Sequence, residues 1–227
     1  MTHDPSDPSE PAFTQPLSTE GEAALAAVRK KRGYTLPYHR LFAAHAPQLL
    51  NRYDAFYQEL TLVPRVLTPF ERETVWACLL AAAREAHGFI HMERARAAGL
   101  SDDNLAACVA MAAQCEGFAV NSFAAKHWAA WTTADTLLAR YLRVFMVAAD
   151  GLPDGLAHLA GTTAMAARRN DAGLVFHLRH CLDAGIETVQ VVEALSYVLI
   201  PCGGNVLIDA VAAWEAAAAE GIVVAPY

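Results

Sequence analysis

The sequence has little charge, and its acidic residues outnumber its basic ones. Charged residues make up 18% of the 227, with 17 lysines and arginines against 24 aspartates and glutamates, for a formal charge of −7. An acidic chain without an extended basic block lacks the electrostatic footprint that nucleic-acid binding requires. We therefore expect no nucleic-acid partner.

Long apolar runs are also absent, although 55% of the residues are hydrophobic. A membrane-spanning helix needs about 18 or more consecutive apolar residues, so the sequence predicts no membrane span. The first residues, MTHDPSDPSEPAFTQP, have neither the basic start nor the apolar stretch of a signal peptide. We expect a cytoplasmic protein with a disordered leader over residues 1–17.

Several motifs that would identify a cofactor or a nucleophile are missing. The chain has no glycine-rich phosphate loop, no GxSxG elbow, no zinc ribbon and no CxxC pair. Nucleotide chemistry is therefore not indicated, and we expect no cofactor. An odd number of cysteines without an export signal predicts free thiols in a reducing compartment, most of them small buried apolar side chains. The five are Cys78, Cys108, Cys115, Cys181 and Cys202.

Helix start and stop signals follow one another along the chain, with almost no strand-type alternation. Thr19 and Glu22 predict a capping box, and Thr68 to Glu71 form the strongest start signal, with proline at the first helical position. Pro47 is expected to divide two shorter helices, and Gly117 to end another. The sequence therefore predicts an all-α fold.

An internal repeat appears when the chain is compared with itself at an offset of 86 positions. The matched pairs are His91 with His177, Ala98 with Ala184, Gly99 with Gly185, Gly117 with Gly203, and Trp128 with Trp214. Several matches at one offset indicate duplicated units. We predict two tandem helical units: residues 18–132, with an N-terminal helical extension, and residues 133–227.

The first predicted unit contains two histidines, His87 and His91, at helical i, i+4 spacing. On one helix they would share a face, where stacked imidazoles can bind a metal, relay a proton or hold an anion. A metal would need a third ligand from another helix. The possible carboxylate ligands are Glu71, Glu73 and Glu116, and the flanking candidates for acid–base work or anion binding are Arg84, Glu85 and Arg94.

The second predicted unit contains His177, Arg179 and His180 on one helix, with His158 on the helix before it. If these two helices pack antiparallel, His158 can reach His177. Histidines and an arginine together suit a carboxylate substrate, because they combine positive charge with a group that titrates near pH 7. A solvated helix face is the plainer interpretation of Arg179 and His180.

These segments resemble the carboxymuconolactone decarboxylase family and its alkylhydroperoxidase D-like relatives over roughly residues 30–220. In the second unit the resemblance rests on a GLP entry, the pattern LxxHxRxxxxxG from Leu174 to Gly185, and the Cys202-Gly203 turn. In the first unit it rests on the segments GYTLPYHRLFAAHAPQLL, LTPFERE and HMERARAAGLSDDNL. The resemblance implies an all-helical unit that assembles into trimers or hexamers. It also implies either peroxide reduction by a CxxC pair or cofactor-free lactone decarboxylation.

The chain departs from the family pattern at the positions that carry this chemistry. The resemblance places the two redox cysteines at Arg84 and His87 in the first unit, and at Asn170 and Gly173 in the second. A thiol peroxidase cannot work without a nucleophilic thiol and its resolving partner, so the antioxidant alternative is disfavoured. The family's glutamates before the helix histidine are also replaced, by Ala172 and Gly173.

The leading hypothesis is therefore a cofactor-independent lyase or isomerase that acts on a small carboxylate or lactone. His91 or His87 would be the general acid or base, with Glu85 orienting one of them, and His177 the equivalent residue of the second unit. The candidate substrate-binding residues are Arg84, Arg94, Arg179 and His158. Alternatives are a degenerate helical scaffold or ligand-binding protein and, more weakly, a metal enzyme. We expect a homo-oligomer, and the sequence does not decide which unit holds the site.

Overall fold

A computed structural model describes residues 15–227, and these residues form eleven α-helices and no strand. The predicted all-α fold is confirmed. Residues 1–14, most of the predicted leader, lie outside the described part of the chain. The chain divides into two compact units, Met1–Val63 and Pro64–Tyr227. The predicted division into tandem repeats at residue 132 concerns common origin and stays a prediction.

Over residues 15–63, the first compact unit has three helices that pack on one another: α1 (Thr19–Arg32), α2 (Pro37–His45) and α3 (Pro47–Thr61). Pro47 opens α3 and divides it from α2, as predicted. The predicted capping box at Thr19 is wrong, because the hydroxyl of Ser18 accepts the hydrogen bond from the Gly21 backbone and the helix begins at Thr19. Gly21 allows α1 to approach α2 closely, since a Cβ at this position would lie 2.2 Å from the carbonyl oxygen of Ala43.

The second compact unit contains the remaining eight helices. They are α4 (Pro69–Ala83), α5 (Phe89–Ala97), α6 (Asp102–His127), α7 (Ala134–Ala148), α8 (Asp154–Ala167), α9 (Asp171–Asp183), α10 (Thr188–Ser196) and α11 (Gly204–Ala219). The Thr68–Glu71 capping box opens α4 as predicted. None of the helices described between residues 15 and 227 combines the length with the apolar character that crossing a membrane requires.

Two central helices, α4 and α8, pack against each other and place the polar residues of interest in the core. Every residue of α8 from Leu156 to Ala166 is buried, and α4 is buried over most of its length. The small side chains of these helices allow close helix packing. α8 also packs on α9, and α4 also packs on α5 and α6. A histidine on α5 or α9 can therefore reach the neighbouring central helix.

Two predicted helix boundaries differ from the structure. α6 continues without a break through Gly117, because a helical glycine costs only about 1 kcal/mol and the long helix packs on α4 and α7. Conversely, α4 ends at Ala83, since Arg84 adopts the left-handed conformation with φ 56°. A short 3₁₀ turn (Ala86–Gly88) then precedes α5. His87 lies in this turn and His91 in α5, so the prediction that both lie on one α-helix is wrong.

Candidate functional site

The imidazole of His91 is buried in the second compact unit against a carboxylate from the neighbouring central helix. His91 lies on α5 and Glu73 on α4, and the distance between Nδ1 of His91 and Oε2 of Glu73 is 2.9 Å. Both side chains are almost fully buried. Arg72 donates from Nε to the other carboxylate oxygen of Glu73, also at 2.9 Å. The carboxylate therefore has a partner on each oxygen and a fixed orientation.

This geometry determines which nitrogen of His91 carries the proton. A carboxylate that is paired with an arginine accepts hydrogen bonds, so Nδ1 of His91 must be the donor. In the neutral ring Nε2 is then unprotonated. Among residues 15–227, Nε2 of His91 has no hydrogen-bond partner. The site therefore presents one free basic nitrogen on an imidazole whose orientation is fixed.

Burial keeps this imidazole neutral near pH 7. Desolvation is the largest influence on the pKa of His91 and lowers it below 6.5, while the hydrogen bond and charge of Glu73 oppose that effect. The positive charges of Arg94 and Arg72 lower the pKa further. A neutral imidazole with an unprotonated Nε2 is suited to accept a proton.

Two buried hydrogen-bond donors near His91 lack acceptors among residues 15–227. The indole of Trp76 stacks on the His91 ring, with 4.0 Å between the ring centroids and 19° between the planes. Within the described part of the chain, its Nε1 is buried without a hydrogen-bond partner, and so is Nη1 of Arg94, one helical turn after His91. Buried donors are nearly always satisfied, and an unsatisfied one costs about 1–3 kcal/mol. These donors indicate a place for a hydrogen-bond acceptor.

A polar network behind Trp76 fixes its position. Besides His91, the indole of Trp76 stacks on Tyr197, with 4.9 Å between the ring centroids. Tyr197 donates its hydroxyl proton to Oε1 of Glu193 at 2.6 Å. Oε2 of Glu193 accepts from the backbone N–H groups of Val66 and Leu67 at 2.6 and 2.9 Å. The loop before α4 is thus tied to α10, and Trp76 is held in one orientation between His91 and Tyr197.

A second buried cluster lies around His177 of α9. Nε2 of His177 is 2.8 Å from the hydroxyl of Tyr141, and Nδ1 is 2.9 Å from Nδ1 of His158. The expected crossing from His158 to His177 is therefore present. Burial lowers the pKa of His158 to about 4 and that of His177 well below 6.5. Both ring nitrogens of His177 are engaged, so this imidazole has no free nitrogen for a substrate.

The His177 cluster requires a glycine on the facing helix. A Cβ at Gly161 would lie 2.8 Å from Nδ1 of His177 and 3.0 Å from two of its ring carbons. We expect Gly161→Ala to displace the imidazole, to break its hydrogen bond with His158, and to lower the free energy of unfolding by about 1–3 kcal/mol. Urea unfolding measures this change.

Gly117→Ala is the matched control for that substitution. A Cβ at Gly117 has no neighbour within 4 Å and lies inside α6, so alanine there is expected to raise the free energy of unfolding by up to about 1 kcal/mol. Equal stability of Gly161→Ala and the wild type would contradict the packing described around His177.

The predicted first-unit residues do not form one cluster. Glu85 accepts a hydrogen bond from the backbone N–H of His87 at 2.7 Å, and His87 itself is exposed. The structure does not place Glu85 beside His91 as the sequence predicts. The carboxylate that contacts the His91 imidazole is that of Glu73. Arg84 is 70% exposed and shares Glu116 with Arg168. Of the predicted first-unit residues, Arg94 is the one whose charge lowers the pKa of His91.

The second predicted set divides between the core and the surface. His158 and His177 are buried, whereas Arg179 is exposed and pairs loosely with Asp183 at 3.6 Å. Arg179 and His180 line an open groove of about 710 Å³ on the same compact unit. His158 is therefore a partner of His177 in the core and does not face this groove.

Several contributing residues were not assigned from the sequence to these roles. The sequence indicates Glu73 only as a possible third metal ligand, and it assigns neither Trp76 nor Tyr141 to a site. One sequence signal was available for Glu73: it precedes His91 by 18 residues, and His158 precedes His177 by 19. At the predicted offset of 86, however, Glu73 aligns with Leu159, one residue after His158, so the two spacings agree only approximately.

Within residues 15–227, the histidines lie in no group that could hold a metal, and the buried cysteines are not reactive thiols. Residues 15–227 contain no group of three or more histidine, cysteine, aspartate or glutamate side chains that could hold a metal. Burial raises the pKa of the Cys108, Cys115 and Cys181 thiols to about 12, which disfavours the reactive thiolate. Four of the five cysteines are buried and Cys202 is partly exposed.

Comparison with known proteins shows a similarity for part of the chain. No curated protein and no solved structure gave a significant match. The model of the carboxymuconolactone decarboxylase family matches residues 135–216. These residues run from the start of α7 into α11 and include Tyr141, His158 and His177, whereas Glu73 and His91 precede them. Over residues 135–216 this all-helical chain is therefore similar to the carboxymuconolactone decarboxylase family.

Proposed function

We propose that the protein is a cofactor-independent lyase or isomerase that acts on a small carboxylated or lactone metabolite, with His91 as its acid–base residue. The observation that carries the proposal is the buried Glu73–His91 pair with one free imidazole nitrogen beside two unsatisfied donors. An oriented imidazole of lowered pKa and a cationic donor are the groups that proton transfer next to a carbonyl needs.

The two histidine clusters differ in a way that favours the first. His177 lies in the segment that matches the family, but Tyr141 and His158 occupy both of its nitrogens. His91 lies outside that segment and keeps Nε2 free. A general base must reach the proton that it removes through a free lone pair. We therefore assign the reaction to His91 and a structural role to His177.

The groups around His91 support a reaction that begins with proton removal. A substrate carboxylate or carbonyl oxygen would accept hydrogen bonds from Nη1 of Arg94 and Nε1 of Trp76. Nε2 of His91 would take a proton from the carbon next to the carbonyl, and the electron pair of that C–H bond would move into an enolate oxygen held by the same donors. Returning the proton from His91 to another carbon completes an isomerisation.

A decarboxylation would use the same residues in the other protonation state. The C–C bond to the carboxylate would break, CO₂ would leave, and protonated His91 would deliver its Nε2 proton to the resulting carbanion and then regain one from water. Because the pKa of His91 is lowered, this order of events is favoured only at acidic pH. Of the two reactions, the site therefore supports the isomerisation better.

Deuterium exchange tests the proposal without requiring a complete turnover. The wild-type protein in D₂O is incubated with carboxymuconolactone and two carboxylated butenolides, and proton NMR follows the loss of the C–H signals next to the carbonyl. We expect exchange with the acids and at least about 100-fold slower exchange with His91→Asn. The control His127→Asn changes an exposed histidine of α6 and should retain the wild-type rate.

The same experiment distinguishes the principal alternative. If the wild-type protein binds these acids, detected as NMR line broadening, but exchanges no deuterium, the degenerate ligand-binding interpretation replaces the enzyme. If His91→Asn exchanges as fast as the wild type, the assignment of His91 is wrong.

Assembly and location stay predictions. We propose a homo-oligomer because apolar side chains are exposed along α6 and α7 and in the segment between them, and exposed apolar patches are typical of subunit contacts. These side chains are Val109, Val120, Phe123, Trp128, Trp131, Val144 and Val147. We also propose a cytoplasmic location, in keeping with the free cysteines of the chain.

A further inference from the structure

The groove beside α9 has the lining of a small-molecule site that the reaction at His91 does not use. Its volume of about 710 Å³ lies in the usual range for ligand pockets, about 300–1,000 Å³. Helices α6, α7 and α9 supply most of its walls. The residues used in the argument are Phe118, Lys126, Asp135, Phe176, Arg179 and His180.

We propose that this groove binds an aromatic carboxylate at a second site, with the ring against Phe176 and the carboxylate between Lys126 and Arg179. This proposal goes beyond the reaction assigned to His91 and does not depend on it.

Aromatic side chains form the inner wall of the groove. Phe118 and Phe176 pack together with 5.6 Å between their ring centroids. Each of them also contacts Tyr141, at 4.9 and 5.6 Å. Tyr141 and Phe176 in turn pack on the buried ring of His177. A flat aromatic ligand gains stacking and apolar burial on such a surface without ordering flexible side chains.

Positive charge predominates in the lining. Lys126 makes no ion pair among residues 15–227, and the only one of Arg179 there is the loose, exposed contact with Asp183. The single acidic side chain of the lining is Asp135, in the first turn of α7, where the helix dipole stabilises a negative charge. Two cations against one acid favour an anionic ligand, and Arg179 can bind a carboxylate through two parallel hydrogen bonds.

The hydrogen bond of His180 determines which of its ring nitrogens faces the groove without a partner in the protein backbone. Its Nδ1 lies 2.8 Å from the carbonyl oxygen of Phe176, and because a carbonyl only accepts, Nδ1 must carry the proton. Nε2 is the nitrogen left to face a ligand. The other neighbour of this ring is His158, which stacks on it with 4.8 Å between centroids. An anion bound at His180 should therefore also change the NMR signals of His158.

Binding of 2-naphthoate, compared with its neutral analogue 2-naphthamide, tests the proposal on the full chain. Isothermal titration should give a Kd at least about tenfold lower for the acid, and the difference should shrink at high salt because it is electrostatic. Arg179→Gln and Lys126→Gln should each raise the Kd for the acid about three- to tenfold. The control Arg143→Gln changes an exposed arginine of α7 that does not line the groove and should not alter it.

Two further measurements separate this site from the one at His91. Nitrogen-15 NMR should detect the acid at His180 and His158, and His91→Asn should leave its Kd unchanged. Equal affinity for the acid and the amide would overturn the proposal, and so would a Kd that neither Arg179→Gln nor Lys126→Gln changes. Either result would leave the deuterium exchange at His91 unaffected, so the two proposals fail independently.

Discussion

Changing Glu73 to glutamine is expected to lower kcat at least about 100-fold for any carboxylated substrate that exchanges deuterium at His91. The carboxylate accepts the Nδ1 proton of His91 and so leaves Nε2 unprotonated. A glutamine amide can instead donate to Nδ1, and the ring then carries its proton on Nε2, where it cannot act as a base. The loss of a correctly oriented base typically costs 10²–10⁴ in rate.

The matched control for this substitution is Glu93→Gln, which removes an exposed carboxylate from α5 and should leave kcat unchanged. Thermal unfolding of both variants separates a catalytic effect from a loss of structure, because Glu73 also pairs with Arg72 in the core. A folded Glu73→Gln protein with wild-type kcat would show that the carboxylate does not set the state of His91.

Acidification is expected to remove several kcal/mol of stability from the second compact unit. His91, His158 and His177 are buried and have lowered pKa values. The unfolded chain takes up protons near pH 6.5, whereas the folded chain takes them up only at lower pH. The free energy of unfolding is therefore constant above about pH 6.5 and falls as the pH decreases towards the folded-state values. For His158 alone, with a pKa of about 4, the loss is about 1.6 kcal/mol between pH 6.5 and pH 5.

Urea unfolding at pH 7.5, 6.5, 5.5 and 5.0 measures this dependence. His158→Gln keeps a hydrogen-bonding group towards His177 but does not titrate, so its stability should fall less steeply with acid. His127→Gln, at an exposed position of α6, should follow the wild-type curve. A free energy of unfolding that stays constant down to pH 5 would mean that the buried histidines are protonated in the folded protein.

Local signals in the sequence predict most of the fold correctly. The Thr68–Glu71 capping box and the division at Pro47 depend on hydrogen bonds and steric limits within a few residues. These two features do not depend on how the helices pack, so the structure shows them where the sequence predicts them. The end of α6 could not be predicted in the same way, because packing of α6 on α4 and α7 outweighs the weak helix propensity of Gly117.

The candidate site could be predicted from local sequence patterns only in part. The i, i+4 spacing to His87 points to His91, but it wrongly predicts that the two share a helix. The left-handed conformation of Arg84 ends α4, and His87 lies in a 3₁₀ turn before α5. The partner of His91 lies on another helix, and Trp76 belongs to an apolar run in which it is indistinguishable from a core residue. Such contacts depend on how helices pack, and only the spacing shared with His158 and His177 indicates them.

The most direct test of the account is the protonation state of the His91 ring. Nitrogen-15 NMR of the histidine-labelled protein at pH 7.5 distinguishes the two neutral tautomers by the chemical shifts of Nδ1 and Nε2. The Glu73–His91 geometry predicts a proton on Nδ1, an unprotonated Nε2, and a titration midpoint below 6.5. A proton on Nε2, or an imidazole still charged at this pH, would contradict the assignment of His91 as the base.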